Sequence, residues 1–500
     1  MNKTFGCIFL SVWLITACSN NPTIDETPAS IDATPIPHKT TIFTSPETGN
    51  ASPARLADPR PNIILILTDD QPYHTVEFMP TVRDVLMNEG VVFENGFVTT
   101  PLCCPSRVSI LTGQYVHNHE VFTNRMPLGG APKYNDSDCF AIQLHEAGYR
   151  TAYYGKYLND YEELNPLGYK PPGWDDWNAF LSNQITAVED SGNAQYYADF
   201  SMSQNGEIID YPEAQGKFSA DVITQNGVDF ISDSRDEPFF LFLSYYNPHS
   251  PYFWAPRHDD QFRVRGELQS EPYRPTNFME ADVSDKPQYL QNLNPIAVEK
   301  IDISYKQILR SLLSVDDGVA SVLASLESTG LKEKTIVVYL SDNGLTVGNH
   351  RLGLTKNCAY EECIKVPFIV YAPGQISARL DSNLVANIDL APTFIELSGA
   401  SPFNGMNGIS LVPLLTDGDS EWRDSILIEH WPTEEGVGSR IPEFYGIRTA
   451  EWKYVEYKTG ETELFDLKGD PFELNNLTND STYTGLKSEL KGKLDELKTE

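Results

Sequence analysis

Five stretches of this chain are apolar or nearly so, and each stops abruptly at a turn or at polar residues. Asn62-Ile63-Ile64-Leu65-Ile66-Leu67 gives way to Thr68-Asp69-Asp70-Gln71, and Thr335-Ile336-Val337-Val338-Tyr339-Leu340 gives way to Ser341-Asp342-Asn343-Gly344. Residues 239–243 lead to Asn247-Pro248-His249-Ser250, residues 149–154 to Gly155-Lys156, and residues 366–371 to Ala372-Pro373-Gly374. Continuous rather than alternating hydrophobicity marks strands covered on both faces, as in a parallel sheet between helices. Helical patterns fall between the runs, at 80–89, 140–147 and 305–328. This alternation predicts an α/β sandwich with a large, mostly parallel central sheet flanked by helices. Ligands of such sheets bind beyond the carboxyl ends of the strands. Four of the five ends carry Asp, Asn, Lys or His, so their convergence is a candidate site.

The pattern changes near residue 415. Short runs at 425–428, 445–448, 453–457 and 463–465 predict antiparallel strands, and the charged amphipathic stretch 485–497 predicts a closing helix. The expected organisation is a main α/β domain at 58–414 and a smaller α+β subdomain with an antiparallel sheet at 415–500. At the other end, Lys3 followed by a short apolar stretch reads as an export signal over 1–17. It closes on Ile15-Thr16-Ala17-Cys18, similar to the lipobox of bacterial lipoproteins, in which the cysteine is lipidated after cleavage. Residues 18–57, rich in Pro, Thr, Ser and Asp, then form a flexible tether from a lipid anchor on Cys18. The expected location is the bacterial cell envelope, at the outer membrane or facing the periplasm, with lipid as the only membrane attachment.

A formal charge of −33 excludes nucleic acid as a partner and gives no help with a polyanion. An anionic substrate therefore needs a local cluster of cations or a bound metal. Of the seven cysteines, Cys104, Cys139, Cys358 and Cys363 remain available for a disulfide in an oxidising compartment, with the pairing open.

Asp69-Asp70 and Asp342-Asn343 offer only oxygen ligands, which suits Ca²⁺ better than zinc, with Mg²⁺ as the second choice. Either pair alone would read as a helix cap. In Pro101-Leu102-Cys103-Cys104-Pro105-Ser106-Arg107, Pro105 fits the first turn of a helix that Gly113 ends. Cys103 then lies at a helix N-terminus, where free N–H groups favour an anion, and Arg107 one turn on points back to it.

Cys103-x-Pro105-Ser106-Arg107 followed by Leu111-Thr112-Gly113 resembles the signature of the formylglycine-dependent sulfatases. The resemblance extends from residue 60 to about 475. It takes in Thr68-Asp69-Asp70-Gln71, Gly155-Lys156-Tyr157-Leu158-Asn159, Pro248-His249-Ser250-Pro251, Ser341-Asp342-Asn343-Gly344 and Lys356 before Tyr360-Glu361. The double cysteine, His117-Asn118-His119 and Val385-Ala386-Asn387-Ile388-Asp389-Leu390 are similar to the N-acetylglucosamine-6-sulfatase branch.

The resemblance implies an alkaline-phosphatase-like sandwich and an enzyme that hydrolyses sulfate esters of a sulfated carbohydrate, with a 6-O-sulfated sugar expected. It implies that a formylglycine-generating maturation enzyme oxidises Cys103 to 3-oxoalanine (formylglycine), whose hydrate is the nucleophile. Asp69, Asp70, Asp342 and Asn343 hold the metal with modified Cys103. Arg107 and Lys156 steady the nucleophile, and Lys156, His249 and Lys356 neutralise developing sulfate charge. His249 can also protonate the leaving oxygen. Many sulfatases carry a histidine where this chain has Leu158, so another base is required, and His119 or His117 is a candidate. His350 is a candidate substrate contact, and Trp174, in Trp174-Asp175-Asp176-Trp177, a candidate sugar-stacking rim. The competing readings are a phosphonate or phosphodiester hydrolase of the same superfamily and a non-catalytic glycan-binding surface lipoprotein.

Overall fold

The structure is a computed structural model, and it describes residues 60–164, 169–181, 196–234, 237–262, 270–294, 296–416, 421–432 and 440–500. The expected signal, the expected lipidation site Cys18 and the expected tether fall in 1–57, outside the described residues.

Ten strands form one sheet: β1 (Asn62–Thr68), β2 (Val91–Phe97), β3 (Arg150–Gly155), β4 (Asp176–Leu181), β5 (Phe200–Gln204), β6 (Glu207–Tyr211), β7 (Phe239–Ser244), β8 (Thr335–Ser341), β9 (Phe368–Tyr371) and β10 (Arg379–Ala386). Their order is β10-β2-β9-β8-β1-β7-β3-β4-β5-β6. The pairings β8–β1, β1–β7, β7–β3 and β3–β4 are all parallel, while β9 and β5 run against their neighbours. The unbroken apolar runs have a direct cause. Ile63, Leu65 and Leu67 of β1 enter one core while Ile64 and Ile66 enter the core on the other face, and β8 divides the same way. Both faces are dry, so neither alternation position is polar.

The fifth run differs from its expectation. It forms β9, antiparallel between β8 and β2, so its Ala372-Pro373-Gly374 end lies at the opposite edge from the other four. That geometry explains why it alone carries no polar cluster.

A second sheet of four antiparallel strands contains β11 (Ser425–His430), β12 (Phe444–Thr449), β13 (Trp452–Tyr457) and β14 (Thr462–Asp466), followed by the helix Thr484–Leu497. Leu490, Leu494 and Leu497 of that helix bury against a core shared with Ile426, Ile447 and Phe465. Cys358 and Cys363 are disulfide-bonded, and Cys103, Cys104 and Cys139 are free, buried thiols.

Candidate active site

The register of β1 against β8 pairs Thr68 with Ser341, so Asp69-Asp70 and Asp342-Asn343 leave the sheet side by side. Backbone bonds lock this arrangement. Asp342 donates its N–H to the Thr68 carbonyl at 3.0 Å, and Asp69 donates its own to Asn247 O at 3.0 Å, beyond β7. Asp70 adopts φ 62°, which turns its side chain back toward the pair. Its N–H donates to Asp342 Oδ1 at 3.2 Å, and Asn343 Nδ2 donates to Asp70 Oδ1 at 2.7 Å.

Against this acidic edge stands the N-terminus of the helix Cys103–Thr112, every residue of which is buried. Leu102 provides no side-chain cap; the Cys104 N–H is taken instead by Asn124 Oδ1, and Pro105 has none to offer. Cys103 Sγ is 3.4 Å from Asp69 Oδ1 and 3.8 Å from Asp70 Oδ1. Cations gather here from this helix and from loops beyond it. Arg107 donates from Nε to Asp342 Oδ2 at 2.8 Å and from Nη1 to Lys156 O at 2.8 Å and Ser244 Oγ at 2.7 Å. Lys156, just past β3, bonds Asp69 Oδ2. Lys356 Nζ lies 2.6 Å from both Asp70 Oδ1 and Cys103 Sγ. His249, after β7, places Nε2 3.6 Å from Asp70 Oδ2 and is held by Ser250 O at Nδ1, 2.7 Å away. A carbonyl can only accept, so Nδ1 carries a hydrogen and Nε2 faces the carboxylates.

The electrostatics follow from burial and crowding. Burial opposes ionisation of Asp69, yet Lys156, His249, Arg107 and Lys356 together hold its carboxyl below the usual range. Burial and then Asp69 push Asp342 up, against the pull of Arg107. Burial also disfavours the Lys156 and Lys356 ammoniums, but Asp69 and Asp70 respectively keep them charged. Burial, followed by the field of Asp69, pushes the Cys103 thiol far up, so an unmodified Cys103 is no thiolate nucleophile here. His249 is pushed down, chiefly by burial.

Asp69, Asp70, Cys103 and Asp342 present ligand atoms within 4.8 Å of one another, and Asn343 Oδ1 is buried with no hydrogen-bond partner. An orphaned acceptor beside three carboxylates is what a hard, oxygen-preferring cation satisfies, so the donor set fits such an ion. The cluster opens into a cavity of about 420 Å³ that Asp70, Lys356, Asn159 and Tyr252 help to line, a size typical of small-ligand sites.

Residues 61–400 match the sulfatase family, and residues 348–500 match the N-sulphoglucosamine sulphohydrolase C-terminal domain. The chain belongs to the sulfatase family. Human N-acetylglucosamine-6-sulfatase is 32% identical over 462 residues, covering 84% of this sulfatase and 81% of the human protein. An extracellular sulfatase Sulf-1 homolog of Caenorhabditis elegans is 35% identical over 393 residues, which are 74% of this chain. This chain spans only 53% of that relative, about half its length. A structure solved in complex with its substrate D-glucosamine-2-N,6-O-disulfate superposes with a TM-score of 0.70 at 26% identity, over 88% of this chain and 98% of the other. A phosphonate monoester hydrolase of Agrobacterium radiobacter shares the fold at TM-score 0.69 and 21% identity.

Within the sulfatase site, all nine residues expected to do chemistry or bind metal meet: Asp69, Asp70, Cys103, Arg107, Lys156, His249, Asp342, Asn343 and Lys356. The peripheral expectations fail. Trp174 is no sugar-stacking rim: it is 4% exposed, packed among Phe140, Tyr153, Trp177 and Phe240 in the core. His119 has both ring nitrogens engaged, Nε2 with Ser109 Oγ and Nδ1 with the Val121 N–H, and burial pushes its pKa down to about 3, too low for a base near neutrality. His117 is tied to Glu429 at 2.9 Å. His350 is fully buried between Glu280 (2.5 Å) and Asn277 (3.0 Å), stacked on Tyr360, and is a structural residue rather than a substrate contact.

Ser106, Asn387, Ser244 and Asn124 support the site without having been expected to act in it. Ser244 receives Arg107 and donates to Lys156 O at 2.6 Å, and Ser106 Oγ donates to the Asp342 carbonyl while accepting from Asn387 Nδ2 at 3.0 Å. Asn124 Oδ1 accepts the Cys104 N–H at 2.9 Å, pinning a loop to the helix start. Asn387 lies in a motif quoted for the resemblance, whereas lone Ser and Asn residues of a loop have no spacing to betray them.

Proposed function

We propose that the protein is an exported hydrolase of sulfate esters on a carbohydrate, acting on a 6-O-sulfated sugar of the glucosamine type. The observation that carries this reading is Cys103, at a buried helix N-terminus, between Asp69, Asp70 and Lys356. The thiol is a poor nucleophile in that position, whereas its oxidised form, formylglycine, supplies a hydroxylated nucleophile when hydrated. Asp69, Asp70, Asp342 and Asn343 would hold a divalent cation, with Ca²⁺ the first choice and Mg²⁺ the second, and such an ion would supply Lewis acidity to a hydroxyl at residue 103.

The chain's own groups account for the rest. Arg107 and Lys156 keep positive charge against Asp342 and Asp69, so the carboxylates stay ionised and oriented at residue 103. Lys356 and His249 flank the same point from the cavity side, where a sulfate oxygen gains charge as the ester bond breaks. His249 presents Nε2 to the site, so a proton taken up there would be placed to pass to the leaving alcohol.

The substrate class rests on the human relative's name and on the D-glucosamine-2-N,6-O-disulfate complex. Export rests on the leader-like residues 1–17, and anchoring on Cys18. The 58–414 and 415–500 division is the working domain description.

The test is to produce the chain with a formylglycine-generating enzyme, verify the aldehyde mass on the Cys103 peptide, and compare nitrophenyl sulfate with a nitrophenyl phosphonate monoester. Sulfate turnover that a chelator abolishes and Ca²⁺ restores is expected. Faster phosphonate turnover, or active protein with an unmodified Cys103, overturns the reading.

A further inference from the structure

The cavity in front of Cys103 holds one cation that the mechanism does not use. Arg125 lines it together with Asn124, Asn159 and Lys356, and its side chain is exposed. Among the described residues it makes no hydrogen bond and no ion pair. Asp160 feels its charge without pairing to it. Its neighbours are committed: Lys356 to Asp70, and Lys133 to Glu120 at 3.7 Å.

The backbone that carries Arg125 is fixed. Phe122 donates its N–H to Leu128 O at 2.8 Å, Gly130 to Thr123 O at 3.2 Å, and Thr123 Oγ1 to the Arg125 carbonyl at 2.9 Å. Closure is so tight that a Cβ on Gly129 would lie 1.7 Å from Thr123 O. Asn124 bolts this loop to the Cys104 N–H at 2.9 Å, one residue from the nucleophile. The backbone of Arg125 is therefore held beside the reacting centre, and its exposed side chain is left to reach into the cavity. With a net charge of −33, an arginine that has no ion pair among the described residues at the cavity mouth places attraction where an anion must enter against the global field.

We infer that Arg125 builds a second anion subsite, which recognises an acidic substituent of the substrate other than the sulfate being cleaved. The inference rests on the proposed sulfatase reading and adds a substrate class to it: sugars bearing at least two acidic groups. Sulfate and carboxylate share the chemistry, since both accept two parallel N–H bonds from a guanidinium. Arg125 is thus a specificity residue, whose contribution appears only when the second acidic group is present.

The experiment compares kcat/KM of the mature full-length protein on three probes: glucosamine-6-O-sulfate, glucosamine-2-N,6-O-disulfate, and a 6-O-sulfated glucosamine linked to a glucuronate. Arg125→Ala should lower the preference for a doubly acidic probe over the singly charged one by about ten- to hundredfold. Arg125→Lys should restore part of it, because charge returns without the fork. The probe whose preference collapses shows whether sulfate or carboxylate occupies the subsite. If the preference survives Arg125→Ala on both doubly acidic probes, or if all three probes lose equally, the subsite does not exist. If wild-type protein hydrolyses nitrophenyl sulfate but none of the sugars, the carbohydrate reading itself fails and takes this inference with it.

Discussion

Two regions of this molecule bury charge, and they do so to opposite ends. At the carboxyl edge of the large sheet, three carboxylates and three cations from separate elements crowd a single sulfur at a helix start. At the seam with the small sheet, Arg448 forks onto Glu361 at 3.0 and 3.1 Å, while Lys453 bonds Glu473 and reaches Glu361 at 3.4 Å. Glu463 nearby accepts from Tyr360 and Tyr457, each at 2.7 Å. His350, Glu362 and Glu473 there even lie as close together as the groups around Cys103. Clustering of metal-binding residue types thus does not separate a site from a joint. The first cluster points several elements at one reactive atom; in the second, each cation ties two segments of chain to each other.

The comparison breaks if chemistry and stability do not part company on mutation. Cys103→Ala should abolish hydrolysis, by about 10⁴-fold or more in kcat, as loss of a nucleophile does. The unfolding midpoint in denaturant should scarcely move. Lys453→Met should do the reverse, costing about 3–5 kcal/mol because Glu473 and Glu361 are left short of a buried partner. Its kcat on nitrophenyl sulfate should stay within a few-fold of wild type, and a large fall in kcat with unchanged stability would join the two regions functionally.

The third effect is smaller and depends on pH. His430, at the end of β11, is fully buried, and burial pushes its pKa down to about 3. The folded chain keeps it neutral, while the unfolded chain takes up a proton below about pH 6.5. Its contribution is therefore complete above that value and is lost progressively as pH falls toward 3, by about 2 kcal/mol at pH 5. Denaturant curves of wild type and His430→Phe at pH 7.5 and 5 should differ by that slope, and parallel losses in both would assign the acid sensitivity elsewhere.

Much of the central architecture was legible because dryness on both faces of β1, β7 and β8 writes itself as unbroken apolar sequence. The C-terminal strands were legible as short, closely spaced apolar and aromatic runs. Strands β2, β5 and β6 were not, because exposed positions such as Glu94, Gln204 and Glu207 interrupt them. The antiparallel course of β9 was hidden too, since local hydrophobicity carries no direction. In the site, residues at strand ends could be read because their backbone position fixes where they point. Trp174 and His119 could not, because whether a ring faces solvent or core depends on partners distant in sequence, Phe240 for the one and packing beside Ser109 for the other.

The disulfide between Cys358 and Cys363 closes a short loop whose two sides have different employers. Lys356, just ahead of it, reaches Cys103, and Glu361, inside it, is gripped by Arg448 of the small sheet. The loop is thus a strut between a platform and a tool. Grafting the small sheet of another sulfatase onto this chain, as one would exchange a module to alter substrate range, would re-seat the far end of that strut. Glu361 and Arg448 would therefore have to be carried over as a pair.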